Sequence, residues 1–378
     1  MRFSSYATIV SSASLAFAVP AKRQASSTAA GGPVTPSPVP APAGGIGFNS
    51  TPTYKPMSDF DFQSLNLGLH QELIELDLFH YGLAQFSSQD FEDAGLTPSD
   101  QYLIEFMADQ EVGHATIFEN FLAPNLTQQC TYSYPNFTSV RDWIDFSMKV
   151  TRFGESGTFG FLAHLNAQDI ASMIFDAIAT EARQQMVFRQ FEGLFPMPFW
   201  FIPSITQSMQ WTLMQPYISS CPAGNPNVTW PIFPPLNILN NPYYPDLNLT
   251  ADISSNVTAV TYPGRVVKLT WEEPGAVTGF NKSFTTQSSA GTAKYAAWIS
   301  QLNTTYTLLE DVNGTSASTI QPSGALFNNV TLFSNSTFPL LNGTVYLLIT
   351  DAAPLVTPYN LSQIEPHIVA GPALYQVG

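Results

Sequence analysis

The sequence predicts an α+β multidomain chain in which a four-helix bundle is followed by an antiparallel β-sandwich-like region. Three observations carry that prediction. Apolar residues recur at steps of three and four through four segments, an acid interrupts each of those stripes, and short β-rich runs separated by turn residues fill the chain after residue 220.

The stripe of the first segment is Leu65, Leu69, Glu72, Leu76, Phe79 and Leu83. Ser58, three residues before Asp61, marks its start, and it is expected to run to Phe86. The second reads Ile104, Met107, Glu111, His114, Phe118 and Phe121, opened by Thr97-Pro98-Ser99-Asp100 and closed at Pro124. Glu111 and His114 sit one turn apart, so both face inward. In the third, Ile144, Met148, Thr151, Glu155, Thr158 and Leu162 form the stripe. Gly154, Gly157 and Gly160 there either provide a smooth face for close backbone approach or break the helix. The fourth reads Ile170, Ile174, Ala177, Glu181, Gln184, Phe188 and Phe191, with Asn166 and Asp169 as expected caps. The link from Leu122 to Thr138 is long enough to be a crossover, which a bundle requires when its second and third helices run in the same direction.

Beyond the bundle, 195–203 is apolar and punctuated by proline, and 204–214 is expected to form one more short helix. The runs 257–262, 266–271 and 345–350 are expected strands of a small sandwich.

The two ends of the length scale agree with this plan. A chain of 378 residues with 44% hydrophobic and 13% aromatic content can bury two ordinary cores. Its formal charge of -15, with 13 Lys and Arg, disfavours nucleic acid and anionic membranes as partners. Met1-Arg2, the apolar stretch 6–18 and Ala16-Phe17-Ala18 read as a signal peptide over 1–18. A Pro/Ala/Ser-rich linker follows over 19–57, with dibasic processing after Arg23 as a second cut, then the helical bundle over 58–220 and the β-rich region over 221–378. Thirteen Asn-x-Ser/Thr sites, at Asn49, Asn125, Asn136, Asn227, Asn248, Asn256, Asn281, Asn303, Asn313, Asn329, Asn335, Asn342 and Asn360, point the same way. Ten of them follow residue 220 and none lies within a helical segment, so glycan would crowd the β-rich region and leave the helices free to pack. Cys130 and Cys221, the two cysteines present, are expected to form one disulfide in an oxidising compartment. No later apolar run is long enough to span a bilayer, and the expected location is secreted, extracellular or cell wall.

The acids carry the chemical expectation, because an unpaired charge buried in an apolar seam is costly unless something neutralises it. A di-metal carboxylate bundle takes one Glu from each of two helices and a Glu-x-x-His from each of the other two. Matching that pattern gives Glu72, Glu111, His114, Glu155 and Glu181 as candidate ligands, with Gln184 where the second histidine belongs. A neutral amide binds iron or manganese more weakly than imidazole, which leaves one ion, a weak pair or a metal-free hydrogen-bonded core. His70 and His80 are expected at the helix surface or rim, and Glu75 and Asp77 toward solvent, with Glu75 one turn from Glu72. His164 is the spare nitrogen that can enter from elsewhere. No Gly-x-Ser-x-Gly elbow and no phosphate-loop lysine are present. Glycoside hydrolysis by paired carboxylates is disfavoured by the helical seam.

Leu65-Asn66 with Glu72 and Glu75, the Glu111-Val-Gly-His114-Ala block, Phe153-Gly-Glu-Ser-Gly157 and Ala179-Thr-Glu-Ala-Arg-Gln184 carry a family resemblance. The segment from Leu65 to Phe191 resembles the ferritin-like domain of fungal secreted stress-response and late-sexual-development proteins and, more distantly, plant desiccation-related proteins. The resemblance implies a ferritin-like bundle and a stress- or development-associated secreted glycoprotein with a weak or degenerate carboxylate metal site and no established catalysis. Two other readings stand beside it: a di-iron or di-manganese oxidoreductase acting on oxygen or peroxide, and a module that binds cell-wall polysaccharide or matrix through its β-rich part.

Overall fold

In the computed structural model, residues 51–323 and 343–378 are described. The signal peptide, nearly all of the linker, Asn49, Asn329, Asn335 and Asn342 lie outside them. The helices are α1 (Asp59–Gln85), α2 (Ser88–Asp93), α3 (Pro98–Leu122), α4 (Val140–Leu162), α5 (Gln168–Phe191) and α6 (Gln207–Met214). The short α2 was not foreseen. The strands are β1 (Thr131–Tyr132), β2 (Ile218–Ser220), β3 (Leu236–Ile238), β4 (Val266–Trp271), β5 (Val277–Thr278), β6 (Phe284–Thr285), β7 (Tyr295–Ser300), β8 (Asn303–Leu308), β9 (Glu310–Asn313), β10 (Ser316–Ile320), β11 (Thr344–Thr350) and β12 (Ile368–Gln376).

Local chemistry sets the helix starts. Thr97 and Asp100 form a reciprocal capping box with Pro98 in the first turn, and Ser58 caps α1 by accepting from the Asp61 amide. The start of α5 differs from expectation. Its N-cap is Ala167 rather than Asn166, and no side chain of its own caps it. The Asp61 carboxylate does so from α1, accepting from the backbone amides of Asn166 (2.8 Å) and Ala167 (3.0 Å).

Contacts along the link between α3 and α4 show that it is a crossover. Thr127 donates to Asn66, Tyr134 to Asp77, and Phe137 accepts from Gln85, so the link travels the length of α1. Trp143, near the start of α4, donates to Leu78 of α1, while the end of α4 returns to Asp61. Helix α4 therefore runs against α1. Helix α3 also opposes α1, because Lys55, just before α1, reaches the α3 end at Asn120 and Ala123; α3 and α4 are parallel. The Cys130–Cys221 disulfide ties the crossover to the segment after α6, beside the β1–β2 pair.

Helix α4 is continuous through its three glycines. A Cβ at Gly154 would meet Gln71 and Glu75 at 2.6 Å, one at Gly157 would reach Gln210 at 2.2 Å, and one at Gly160 would lie 1.7 Å from the Ile205 carbonyl. The glycines thus permit close approach, and the alternative of a helix break falls.

The β-rich part contains two four-stranded antiparallel sheets, ordered β3-β4-β10-β9 and β12-β11-β7-β8. Strand β4 alternates as a half-buried strand should: Val267, Leu269 and Trp271 are buried between the sheets, opposite Trp298, Leu347 and Tyr375. Strand β11 is buried on both faces. Val345, Leu347 and Ile349 enter the inter-sheet core, whereas Tyr346 and Leu348 join the core of the helices, and the Tyr346 hydroxyl donates to the Arg152 carbonyl. That double burial explains its unbroken apolar run.

The boundary at residue 220 separates kinds of secondary structure, and although the sheets have a core of their own, a further core is shared across it. The described residues from 52 onward form one compact unit, and a continuous apolar cluster joins Leu67, Ile74 and Phe188 to Ala297, Tyr346 and Ile368. The expected strand at 257–262 is irregular backbone whose Val260 and Thr261 amides donate to the Val377 carbonyl, so it covers the sheet without entering it. Among the described residues, no helix is long and apolar enough to cross a membrane.

Candidate metal centre

The buried stretch of α1 from Ser64 to Glu75 faces neighbours on every side, since α3, α4, α6 and the segment after the disulfide surround it. Glu72 projects from its middle. Helix α3 supplies Glu111 and His114, and α5 supplies Glu181 and Gln184; all five side chains are at least nine-tenths buried. One potential ligand atom from each of Glu72, Glu111, His114 and Glu181 lies within 4.8 Å of every other.

His114 organises the group. Its Nδ1 stands 3.0 Å from Glu111 Oε2, 3.2 Å from Glu72 Oε2 and 3.8 Å from Glu181 Oε1. The other ring nitrogen, Nε2, lies 2.9 Å from Thr180 Oγ1. Because the Thr180 hydroxyl donates to the Ala177 carbonyl, its oxygen is left to accept from Nε2–H, which fixes the ring with Nδ1 toward the carboxylates. Burial opposes charge on this imidazole, but the hydrogen bonds and charges of Glu111 and Glu72 prevail and raise it to about 12. Burial in turn pushes Glu72 up to about 7 against the pull of His114, and lifts Glu181 well above the usual carboxylate range with the help of Glu72 and Glu111.

Gln184 belongs to the same constellation through its amide. Nε2 donates to Glu111 Oε1 at 2.6 Å, while its carbonyl oxygen has no hydrogen-bond partner among the described residues. Glu155 takes a different place. It is buried on α4, but Arg152 donates to its Oε2 at 2.5 Å, and it does not share the four-residue cluster. Arg152, one turn away on the same helix, thus engages one oxygen of Glu155, while Oε1 is buried without a partner among the described residues and the charge of Glu155 helps to raise Glu181.

Three other sequence expectations change. Glu75 is fully buried rather than solvent-facing, held by Gln71 Nε2 at 2.6 Å with its second oxygen unpartnered. Burial first, then the charges of Glu111, Glu181 and Glu72, raises it well above its ordinary value. His70 is buried against Trp211, at 5.5 Å between ring centroids, and burial lowers it to about 4. The region after α6 covers the side of α1 that was expected to be surface. His164 is exposed near Tyr359 and supplies no nitrogen to the cluster. His80 is exposed and Asp77 half-buried under Tyr134. Thr180, Gln71 and Arg152 are positioning residues that the seam reading missed, although Thr180 adjoins Glu181 and Arg152 sits three residues before Glu155.

The donor set suits a hard cation. Three carboxylates and one imidazole offer oxygen and nitrogen but no thiolate, and Glu181 Oε2 and Gln184 Oε1 are buried without partners. Such a group could hold a metal ion.

Comparison with known proteins agrees with this architecture. Residues 60–194 match the ferritin-like domain family. Protein rds1 of Schizosaccharomyces pombe is 45% identical over 352 residues, spanning 89% of this chain and 86% of that protein. With a ferritin-like domain and a full-length fungal relative of this similarity, the chain belongs to the fungal ferritin-like family that includes Protein rds1.

Proposed function

We propose that this chain is a secreted, glycosylated, stress- or development-associated protein whose ferritin-like bundle holds a single iron or manganese ion. The observation that carries the reading is the convergence of Glu72, Glu111, His114 and Glu181 from three helices, while the acid of the fourth helix is neutralised by Arg152. A second ion would lack the histidine that Gln184 replaces and would compete with Arg152 for the Glu155 carboxylate. The ion, when bound, supplies Lewis acidity and a redox couple.

The chain's own groups define the rest. Thr180 keeps Nδ1 of His114 turned inward, Gln184 orients Glu111 through Oε1 while Oε2 faces His114, and Gln71 fixes Glu75 at the edge of the cluster. Phe118, Ile174 and Ile178 belong to the apolar shell of these helices, which limits water. Secretion is supported by the signal-like start, the disulfide, and the exposure of Asn125, Asn136, Asn227, Asn248, Asn256, Asn281 and Asn313.

A two-ion oxidoreductase is the second reading. It is favoured by the unpartnered oxygens of Glu75, Glu181 and Gln184, which together offer more buried acceptors than one ion needs.

Metal analysis of protein purified from the medium of a fungal host tests the proposal. About one iron or manganese per chain is expected, lost in the Glu111→Ala/His114→Ala variant. Metal-free protein whose folding is insensitive to added metal would contradict it, and two ions per chain would favour the second reading.

A further inference from the structure

A cavity of about 590 Å³ opens beside α1, away from the acid cluster, and its size falls within the about 300–1,000 Å³ of small-molecule sites. Its walls come from His70, the segment after Cys221, and the turn around Phe280. Among the described residues, no Asp, Glu, Lys or Arg lines it, which disfavours phosphates, carboxylates and amines as occupants. What it does offer is two phenyl rings, Phe280 and Phe284, packed edge to face at 5.4 Å, together with neutral polar groups. His70 is 2% exposed and its Nδ1 has no hydrogen-bond partner among the described residues. The rim is braced, since Cys221 is tied to Cys130 and the Asn225 amide donates to the Gln128 carbonyl.

An apolar wall combined with neutral hydrogen-bonding groups suits a sugar ring, which has an apolar face and uncharged hydroxyls. Two residues of that lining are themselves acceptor asparagines: Asn227 in Asn-Val-Thr229 and Asn281 in Asn-Lys-Ser283, both exposed. Asn360 provides the contrast. Its amide donates to the Leu355 carbonyl and its oxygen accepts from the Thr357 amide at 2.8 Å, so it serves as a turn cap within the fold.

We propose that this cavity is the seat of the chain's own N-linked sugar, carried by Asn227 or Asn281, with N-acetylglucosamine packed on Phe280 and Phe284 and its polar groups turned toward His70 and Ser283. The idea rests on the secretion reading above. In the attachment step the asparagine amide nitrogen bonds to C1 of the sugar and loses a proton, and the C1–O bond to the pyrophosphate of a lipid-linked oligosaccharide donor breaks. Tethering makes docking intramolecular, so weak contacts suffice to keep the cavity filled.

The test uses the full chain secreted from a fungal host. Each site is mapped by glycopeptide mass spectrometry, and release by an endoglycosidase that leaves one N-acetylglucosamine is timed under native conditions. Release at Asn227 or Asn281 should be about tenfold slower than at Asn125, Asn136 or Asn313, as for a bond exposed only by local opening. Denaturation should equalise the rates, and Phe280→Ser should speed release at the cavity site without changing it at Asn125. Equal native rates, or bare Asn227 and Asn281 on a chain occupied at Asn125 and Asn313, would overturn the proposal. A secreted chain with no occupied site at all would instead remove the glycoprotein reading on which it stands.

Discussion

Gln184 Nε2 donates to Glu111 Oε1 at 2.6 Å, across the gap between α5 and α3. The residue that replaces the second histidine of a di-metal pattern therefore orients the carboxylate of the intact Glu-x-x-His motif. Gln184→His should replace the amide with a stronger donor to a cation and tighten manganese binding by about tenfold, the scale of effects at ligand-orienting positions. Calorimetric titration of metal-free protein checks this; unchanged or weaker binding would show that Gln184 acts only through Glu111.

Removing metal should expose a pH dependence. Burial holds Glu72 up at about 7 in the folded chain against an ordinary 4.5, so the unfolded chain loses that proton first and stability falls as pH rises from 4.5 through 7. His114, raised from 6.5 to about 12, acts in the same direction: its contribution is complete below 6.5 and is lost as pH climbs toward 12. A bound cation compensates the ionised acids. The gap in Tm between metal-loaded and chelated protein should thus widen from about pH 5 to about pH 8. A constant or narrowing gap would contradict the assignment.

Glu192 offers a separate test outside the cluster. It is 1% exposed, neither carboxylate oxygen has a hydrogen-bond partner, and burial, aided by Asp145, raises it to about 8. This group costs stability as pH rises from 4.5 toward 8, by about 1 kcal/mol per pH unit. Glu192→Gln should remove that slope, leaving the variant more stable than the parent at pH 8 and nearly equal at pH 4.5. Denaturant unfolding at the two pH values measures it, and a variant less stable at both would refute it.

The glycines of the bundle should respond in opposite ways. Gly160→Ala forces a methyl group to within 1.7 Å of the Ile205 carbonyl, and should destabilise by about 3 kcal/mol or prevent folding. At Gly113 an added Cβ meets nothing within 4 Å, and Gly113→Ala should stabilise α3 by about 0.5–1 kcal/mol. Thermal unfolding of the two variants distinguishes them, and equal effects would mean that α4 does not approach Ile205 as described.

Much of this was legible in residue spacing. The stripes through Glu72, Glu111, His114, Glu181 and Gln184 name side chains that the fold brings together, because helical period alone decides which residues share a face. Long-range cover was not legible. Leu67, Ile74 and Leu78 lie off the expected stripe of α1 and signal that its outer side is buried too, yet nothing local says what buries it. Hence His70 and Glu75 were misplaced. Glu155 shows a limit nearer at hand: periodicity put it inward correctly, but did not tell that Arg152 on the same helix engages one of its oxygens.

The most direct test of the central claim is equilibrium dialysis of metal-free protein against manganese, with the parent and a Glu181→Gln variant measured side by side. About one ion per chain is expected for the parent, with binding weakened by about tenfold or more in the variant. No binding to the folded parent, or equal binding by both proteins, would contradict a centre built from Glu72, Glu111, His114 and Glu181.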